Sequence, residues 1–238
     1  MAGCSVKQTL RGLAPSISVG VLTADLMRLG DDLAALDGTG VGVLHFDVMD
    51  GCFCPPMTFG PAFVKGVKTG LLKDVHLMIA DPLTKIADYV AAGADILTVH
   101  LESEPTHIHR VLQALGGMAN ANDASRGIVR GLAITPGTPV GAIEPLLDDL
   151  DMVTLLAINP GWGGQKFIGS TVGRLAQTRA LIGDRDILVC IDGGITRDNI
   201  SSVAEIGADL VVTGSAVFDG KAPKSNARFM LDALRKKR

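Results

Sequence analysis

The stretch His45-Phe46-Asp47-Val48-Met49-Asp50-Gly51 closes a short apolar run, and Asp74-Val75-His76-Leu77-Met78 and Ile191-Asp192-Gly193-Gly194 repeat the pattern downstream. Each run reads as a buried strand with a His or Asp at or near its C-terminal end. His45 and Asp47 are two residues apart, so on a strand both side chains leave from the same face. Imidazole nitrogen and carboxylate oxygen together suit a divalent ion. Zn²⁺ comes first, with Fe²⁺, Mn²⁺ or Co²⁺ as alternatives, because no thiolate is placed to demand a softer metal. His45, Asp47, His76 and Asp192 are the expected ligands. Taken singly, either histidine reads as a hydrogen-bonded core residue; the four together at strand ends read as a site.

A metal that binds a ketone oxygen and a neighbouring hydroxyl oxygen acidifies the carbon between them and stabilises the enediolate. Taking a proton from one face of that carbon and returning one to the other inverts it. Asp47 and Asp192 are the expected base and acid. Met49 and Met78 follow the ligands and suit an apolar wall around the intermediate, or ordinary packing. Asp50, beside Gly51, reads as a turn former. Cys52-x-Cys54 faces no second cysteine pair.

Three glycine-rich turns follow later strands: Asn159-Pro160-Gly161-Trp162-Gly163-Gly164-Gln165, Asp192-Gly193-Gly194 and Thr213-Gly214-Ser215. Glycine lets backbone N–H groups approach an anion closely, and helix starts beyond the turns add a favourable dipole. The expected substrate carries a phosphate at this end and a ketone near the metal.

The elements that position these residues are legible from periodicity. Apolar, β-branched runs end near Leu22, Asp47, Met78, His100, Ile134, Ile158, Ile191 and Gly214, with helical patterns between them. Near-continuous apolar strands fit a parallel sheet covered on both faces. A weak repeat, Thr39-Gly40, Ala92-Gly93 and Ile206-Gly207, puts a glycine where each helix ends and a strand begins. Asp81 with Pro82, and Thr196 or Asp198, read as helix starts. Eight βα units imply a single-domain (β/α)₈ TIM barrel over residues 1–238, with its site at the C-terminal ends of the strands. A doubly wound open sheet is the alternative.

No Ser/Gly/Pro-rich linker or charge block divides the 238 residues. A net charge of −3 leaves no electrostatic footprint for nucleic acid or an anionic membrane. Neither a signal segment nor a membrane-length apolar run is present. Ala2-Gly3-Cys4 has no hydrophobic stretch before it, and the four cysteines are too few and irregular for a disulfide framework. A cytoplasmic location with reduced thiols is expected. The terminal Arg235-Lys236-Lys237-Arg238 reads as a solvated last helical turn. A homo-oligomer is a candidate assembly, although no stretch marks an interface.

The chain from Ile17 to Phe218 resembles the ribulose-phosphate 3-epimerase family. The landmarks are HFDVMDG (45–51), DVHLM (74–78), VHLE (99–102), NPGWGGQKF (159–167), IDGGI (191–195) and TGSAVF (213–218). The resemblance implies a metal-dependent barrel that interconverts ketose phosphates epimeric at C3. It implies His45, Asp47, His76 and Asp192 as ligands, Asp47 as proton acceptor and Asp192 as donor. Gly161 to Gly164 (with Trp162), Asp192 to Gly194, Gly214 and Ser215 are then substrate and phosphate contacts, and His76 touches substrate as well as metal. Gly20 stands where the family carries a substrate-contacting serine, Leu156 where it carries a third methionine, and Gly116 to Arg126 is long. Pro15-Ser16 would need a shift of four residues to supply the missing serine. Phe53-Cys54-Pro55 and Thr106-His107-Ile108-His109 are similar to a divergent branch.

The expected substrate is D-ribulose 5-phosphate/D-xylulose 5-phosphate or a close relative, with D-allulose 6-phosphate or a tetrulose phosphate as alternatives. A Schiff-base aldolase needs a lysine at a strand's C-terminal end. Lys73 starts its strand and Lys166 lies in a loop, and the Asp-x-Lys-x-x-Asp pattern of the related decarboxylase and synthase group is absent. A metal-dependent aldolase stays open. A non-catalytic sugar-phosphate binding protein is the third reading. Gly20 favours it, and the retained pair Asp47 and Asp192 opposes it.

Overall fold

The apolar runs resolve into eight strands: β1 (Ser16–Gly20), β2 (Val43–Met49), β3 (Leu72–Met78), β4 (Ile96–His100), β5 (Val129–Ile134), β6 (Met152–Leu156), β7 (Leu188–Asp192) and β8 (Leu210–Thr213). In this computed structural model, which describes residues 4–236, each strand pairs in parallel with the next, and β1 with β8 closes the ring. The fold is therefore the TIM barrel, and the open sheet is excluded. The helices are α1 (Val6–Leu13), α2 (Leu29–Ala34), α3 (Pro61–Gly66), α4 (Ile86–Ala91), α5 (Ile108–Gly116), α6 (Thr171–Ile182), α7 (Ile200–Ile206) and α8 (Pro223–Arg235). After β5 the connection is a 3₁₀ helix, Val140–Asp149, with Pro145 inside it; a proline there removes an α-helical N–H donor.

Every second residue of a strand points into the barrel, and that interior is stratified. Val43, Leu72, Ile96, Val129, Met152, Leu188 and Leu210 form its lower layer. Val6 and Leu10 of α1 plug this end, and Ser5 and Gln8 cap that helix reciprocally. Burying two such side chains contributes about 1.5–3 kcal/mol each. The long segment between α5 and β5 passes beneath the plug, where the Arg126 carbonyl accepts from Val6 N–H. Polar interior residues rise from the middle to the opposite mouth.

Carboxylates brace the strand starts in a repeating way. Asp95, Asp151 and Asp209 accept the N–H of Lys73, Arg130 and Val189 respectively, each on the strand before their own. Gly40, Gly93 and Gly207 have φ of 88°, 95° and 81°, the left-handed conformation their repeat predicts.

Boundaries differ from expectation in four places. β1 ends at Gly20 rather than Leu22 because Val21–Thr23 turns into a short 3₁₀ segment. β6 ends at Leu156, two residues early, where the chain turns and Ile168 N–H bonds the Ala157 carbonyl. α4 begins at Ile86, after a turn on the Pro82 carbonyl, and Asp81 accepts only the Thr84 hydroxyl. At α7 the cap position is Asn199, whose side chain accepts the Thr196 N–H. At the C-terminus Arg235 donates to the Leu13 and Pro15 carbonyls, so it ties α8 to the connection between α1 and β1 instead of only meeting solvent. Lys237, Arg238, Ala2 and Gly3 lie outside the described residues. Among the described residues no helix is long and apolar enough to cross a membrane.

Candidate metal centre and substrate pocket

β2 and β3 pair with His45 beside Asp74 and Asp47 beside His76, so the alternating pattern of two strands becomes one polar patch inside the mouth. Asp192, at the end of β7, reaches the same point from across β8 and β1. β1 ends in Gly20 and β8 runs on into Gly214 at this level, and the two glycines lie close together. A Cβ on Gly214 would stand 2.7 Å from the Thr23 hydroxyl oxygen, so the close approach itself requires glycine there.

His45 Nε2 is 3.2 Å from Asp47 Oδ1 and 3.7 Å from Asp192 Oδ2. His76 Nδ1 is 3.4 Å and 3.2 Å from the same two oxygens. One ligand atom from each of the four residues lies within 4.8 Å of the others. Bonds of about 2.0–2.1 Å to a tetrahedral ion imply ligand-to-ligand edges of about 3.3 Å. His76 Nδ1 is fully buried and has no hydrogen-bond partner of good geometry, an orphaned atom aimed at the centre of the group. The donor set fits a divalent cation.

The electrostatics agree. Burial would push the His45 imidazole down, but the Asp74 and Asp47 carboxylates outweigh it and hold its pKa well above the ordinary value. For His76, burial is again outweighed, here by the nearby Asp192 and Asp47 carboxylates, and its pKa is pushed up to about 9. Asp47 is held far below the usual carboxylate range: burial opposes this, but the His45 charge dominates. Two carboxylates facing one buried point demand positive charge between them, from imidazolium or from a bound cation.

Behind these four residues lie groups that the sequence reading left without a role. Asp74 Oδ2 accepts from His45 Nδ1 at 2.8 Å and from the Ser18 hydroxyl at 2.9 Å. His76 Nε2 meets His100 Nε2 at 2.9 Å, and His100 Nδ1 meets Glu102 Oε2 at 3.1 Å. Asp74 and His76 share a strand face at period two, which was a usable signal. The link from His76 to His100 depends on strand pairing and was not.

Gly20, Met49, Met78, Leu156, Trp162 and Ser215 are among the residues that line one cavity of about 550 Å³ above the group of two histidines and two aspartates. Gly161, Gly163 and Gly164 face it from the β6 loop, Gly193 and Gly194 from the β7 turn, and Gly214 from β8. That volume suits a small phosphorylated ligand. Gln165 pins the β6 loop by donating to the Asn159 and Trp162 carbonyls, and Trp162 stays 55% exposed at the rim. After β8, Val217 and Phe218 N–H bond the Gly214 carbonyl, so a helical turn starts at the cavity wall.

Asp50 lies at the edge and acts as the turn former expected of it. Its oxygens accept the N–H of Cys52, Phe53 and Ala80, binding the β2 loop to the end of β3. Lys73 is remote, its ammonium on the Val64 carbonyl of α3. Ser16 is two inward positions beneath Gly20, and Ser18 is held by Asp74, so neither hydroxyl replaces the missing serine.

A profile of the ribulose-phosphate 3 epimerase family matches residues 13–218. The chain is 45% identical over 212 residues to a ribulose-phosphate 3-epimerase of Rhodobacter capsulatus, spanning 87% of this chain and 86% of that one. It is 40% identical over 220 residues to the enzyme of that name from Bacillus subtilis (90% and 95%). A chloroplastic ribulose-5-phosphate-3-epimerase of Arabidopsis thaliana is 39% identical over 210 residues (86% and 72%). Among solved structures, 3-hexulose-6-phosphate synthase of Salmonella typhimurium superposes with a TM-score of 0.68 at 18% identity, covering 94% of this chain and all of that one. At that identity the likeness concerns the barrel alone.

Proposed function

Because the chain belongs to the ribulose-phosphate 3-epimerase family, we propose that it is an isomerase that inverts C3 of a ketose phosphate, D-ribulose 5-phosphate to D-xylulose 5-phosphate or a close relative. The observation that carries the reading is the convergence of His45, Asp47, His76 and Asp192 at the floor of a cavity walled by glycine turns. His45, Asp47, His76 and Asp192 would hold a divalent ion, Zn²⁺ first, whose charge stabilises the enediolate oxygens.

The chain's own residues do the rest. Asp47 takes the C3 proton from one face, and Asp192 delivers a proton to the other. Asp47's low proton affinity suits it to start ionised. Met49, Met78 and Leu156 exclude water from the planar intermediate, so protons reach C3 only from the two carboxylates. Backbone N–H groups of Gly193, Gly194, Gly214 and Ser215, with the Gly161 to Gly164 loop, hold the phosphate. Holding both ends of the substrate fixes C3 between the aspartates. A sensor of the same ligand has no use for a second carboxylate on the opposite face, so the epimerase reading is preferred.

The test is a panel of ketose phosphates, including D-allulose 6-phosphate and a tetrulose phosphate, assayed for C3 inversion with bound metal measured on the same sample. Inversion of one panel member by metal-loaded protein is expected. Ligand binding without turnover across the panel would leave only the binding protein.

Gly20 gives a second prediction. Its φ of −68° and ψ of 118° are open to any L residue, and an added Cβ would sit 3.5 Å from Gly214 Cα, an ordinary contact. Gly20→Ser should fold normally and put a hydroxyl into the cavity. One added hydrogen bond of about 0.5–1.5 kcal/mol should lower KM about 2- to 10-fold for the substrate it touches. An unchanged KM on every panel member would remove Gly20 from the substrate contacts.

A further inference from the structure

The geometry points to Glu102 and His100 as positioning residues that fix which nitrogen of His76 carries the hydrogen, and so keep its Nδ1 lone pair free for the metal. The inference rests on His76 being a metal ligand, as proposed above.

The donor and acceptor accounting is tight. Oε1 of Glu102 accepts the Thr135 N–H at 2.7 Å and the Thr138 hydroxyl, and Oε2 faces His100 Nδ1. Thr138 is held in turn by Arg174, whose guanidinium donates to its carbonyl at 3.0 Å. A carboxylate only accepts, so His100 Nδ1 must donate. Neutral His100 then offers a lone pair at Nε2. Since two facing nitrogens need one donor, His76 donates from Nε2 across the 2.9 Å contact. When a cation sits between Asp47 and Asp192 in place of a second proton on the ring, His76 Nδ1, the orphaned atom there, is left with the lone pair that faces it. His76 and His100 are fully buried and their rings stack at 4.9 Å and 22°, so neither ring has room to swing out. His45 achieves the same in one step, with Nδ1 on Asp74 and Nε2 toward the group. Each metal-facing imidazole is thus backed by a carboxylate, one directly and one through a second imidazole.

A one-atom change should reverse the chain. In Glu102→Gln the amide oxygen must stay on the Thr135 N–H and Thr138 hydroxyl, which turns the amide N–H toward His100 Nδ1. His100 then donates from Nε2, His76 accepts there, and the hydrogen moves to His76 Nδ1, where the metal should bind. A role confined to packing predicts no such effect from an isosteric side chain.

The experiment measures Zn²⁺ affinity by competition with a chromophoric chelator for wild type, Glu102→Gln, His100→Phe and the double variant. Thermal unfolding of each metal-free protein is recorded alongside. Glu102→Gln should weaken Zn²⁺ about 10- to 100-fold, the range typical for groups behind metal ligands, with little change in Tm. In the His100→Phe background the second substitution should add almost nothing, because Glu102 acts only through His100. ¹⁵N spectra of the zinc-loaded wild type should place zinc on His76 Nδ1 and the proton on Nε2. Zn²⁺ affinity of Glu102→Gln within about twofold of wild type overturns the inference, as does the same loss in both backgrounds. If Glu102→Gln fails to fold, unchanged affinity in His100→Phe overturns it alone. A wild type that binds no zinc overturns the metal reading first, and this inference with it.

Discussion

Asp192→Asn should abolish epimerisation while leaving sugar-phosphate binding nearly intact. The amide keeps an oxygen toward the group but cannot deliver a proton to C3. Gly193, Gly194 and Gly214, whose backbone is proposed to hold the phosphate, line the cavity and are left in place by the substitution. General acid–base catalysis contributes about 10²–10⁴-fold, so kcat should fall by on the order of 10³ with KM changed only a few-fold. The loss should also be one-sided. With Asp47 intact, the variant should still exchange the C3 proton of D-ribulose 5-phosphate with solvent, because removal and return on that face need only one carboxylate. Steady-state kinetics and proton NMR in D₂O read both effects. Near-normal kcat would remove Asp192 from the chemistry. Equal loss of inversion and of exchange from both epimers would make it a ligand alone.

His76→Ala should empty the metal centre. The imidazole is fully buried, and its Nδ1 lies 3.2–3.4 Å from both aspartate oxygens. Loss of a direct ligand should exceed the 10- to 100-fold typical of the groups behind ligands, so Zn²⁺ affinity should drop by more than about 100-fold. Purified protein should then carry substoichiometric metal, and activity should fall in proportion. Metal analysis of wild type and variant prepared side by side is the check. A fully metallated His76→Ala would contradict the ligand assignment.

Much of this was legible because the informative residues obey short periods. His45 with Asp47, and Asp74 with His76, are two apart on strands, and period two decides which face they share. The barrel followed from counting βα units, and the glycines at 40, 93 and 207 from the chirality of helix ends. What failed or was missed depends on partners distant in sequence. α4 starts late because the chain first turns on the Pro82 carbonyl. β1 stops at Gly20 because Val21–Thr23 coils back at the mouth. His100 and Glu102 stood in a recognisable motif, yet their bearing on His76 exists only through the pairing of β3 with β4, where His76 stands beside Thr98. Composition does not state a register. Arg235 shows the same limit: a terminal basic residue reads as solvated until the carbonyls of Leu13 and Pro15 come within its reach.

The central claim is that two carboxylates on opposite faces of one carbon exchange its proton. Early-turnover NMR of metal-loaded protein with D-ribulose 5-phosphate in D₂O tests it most directly. If Asp47 removes the proton and Asp192 supplies another, each D-xylulose 5-phosphate formed should carry one solvent deuterium at C3 from the first turnover, while unreacted substrate stays protiated. Product retaining the substrate's own hydrogen at C3 would mean that a single group carries the proton between faces, and would contradict the account.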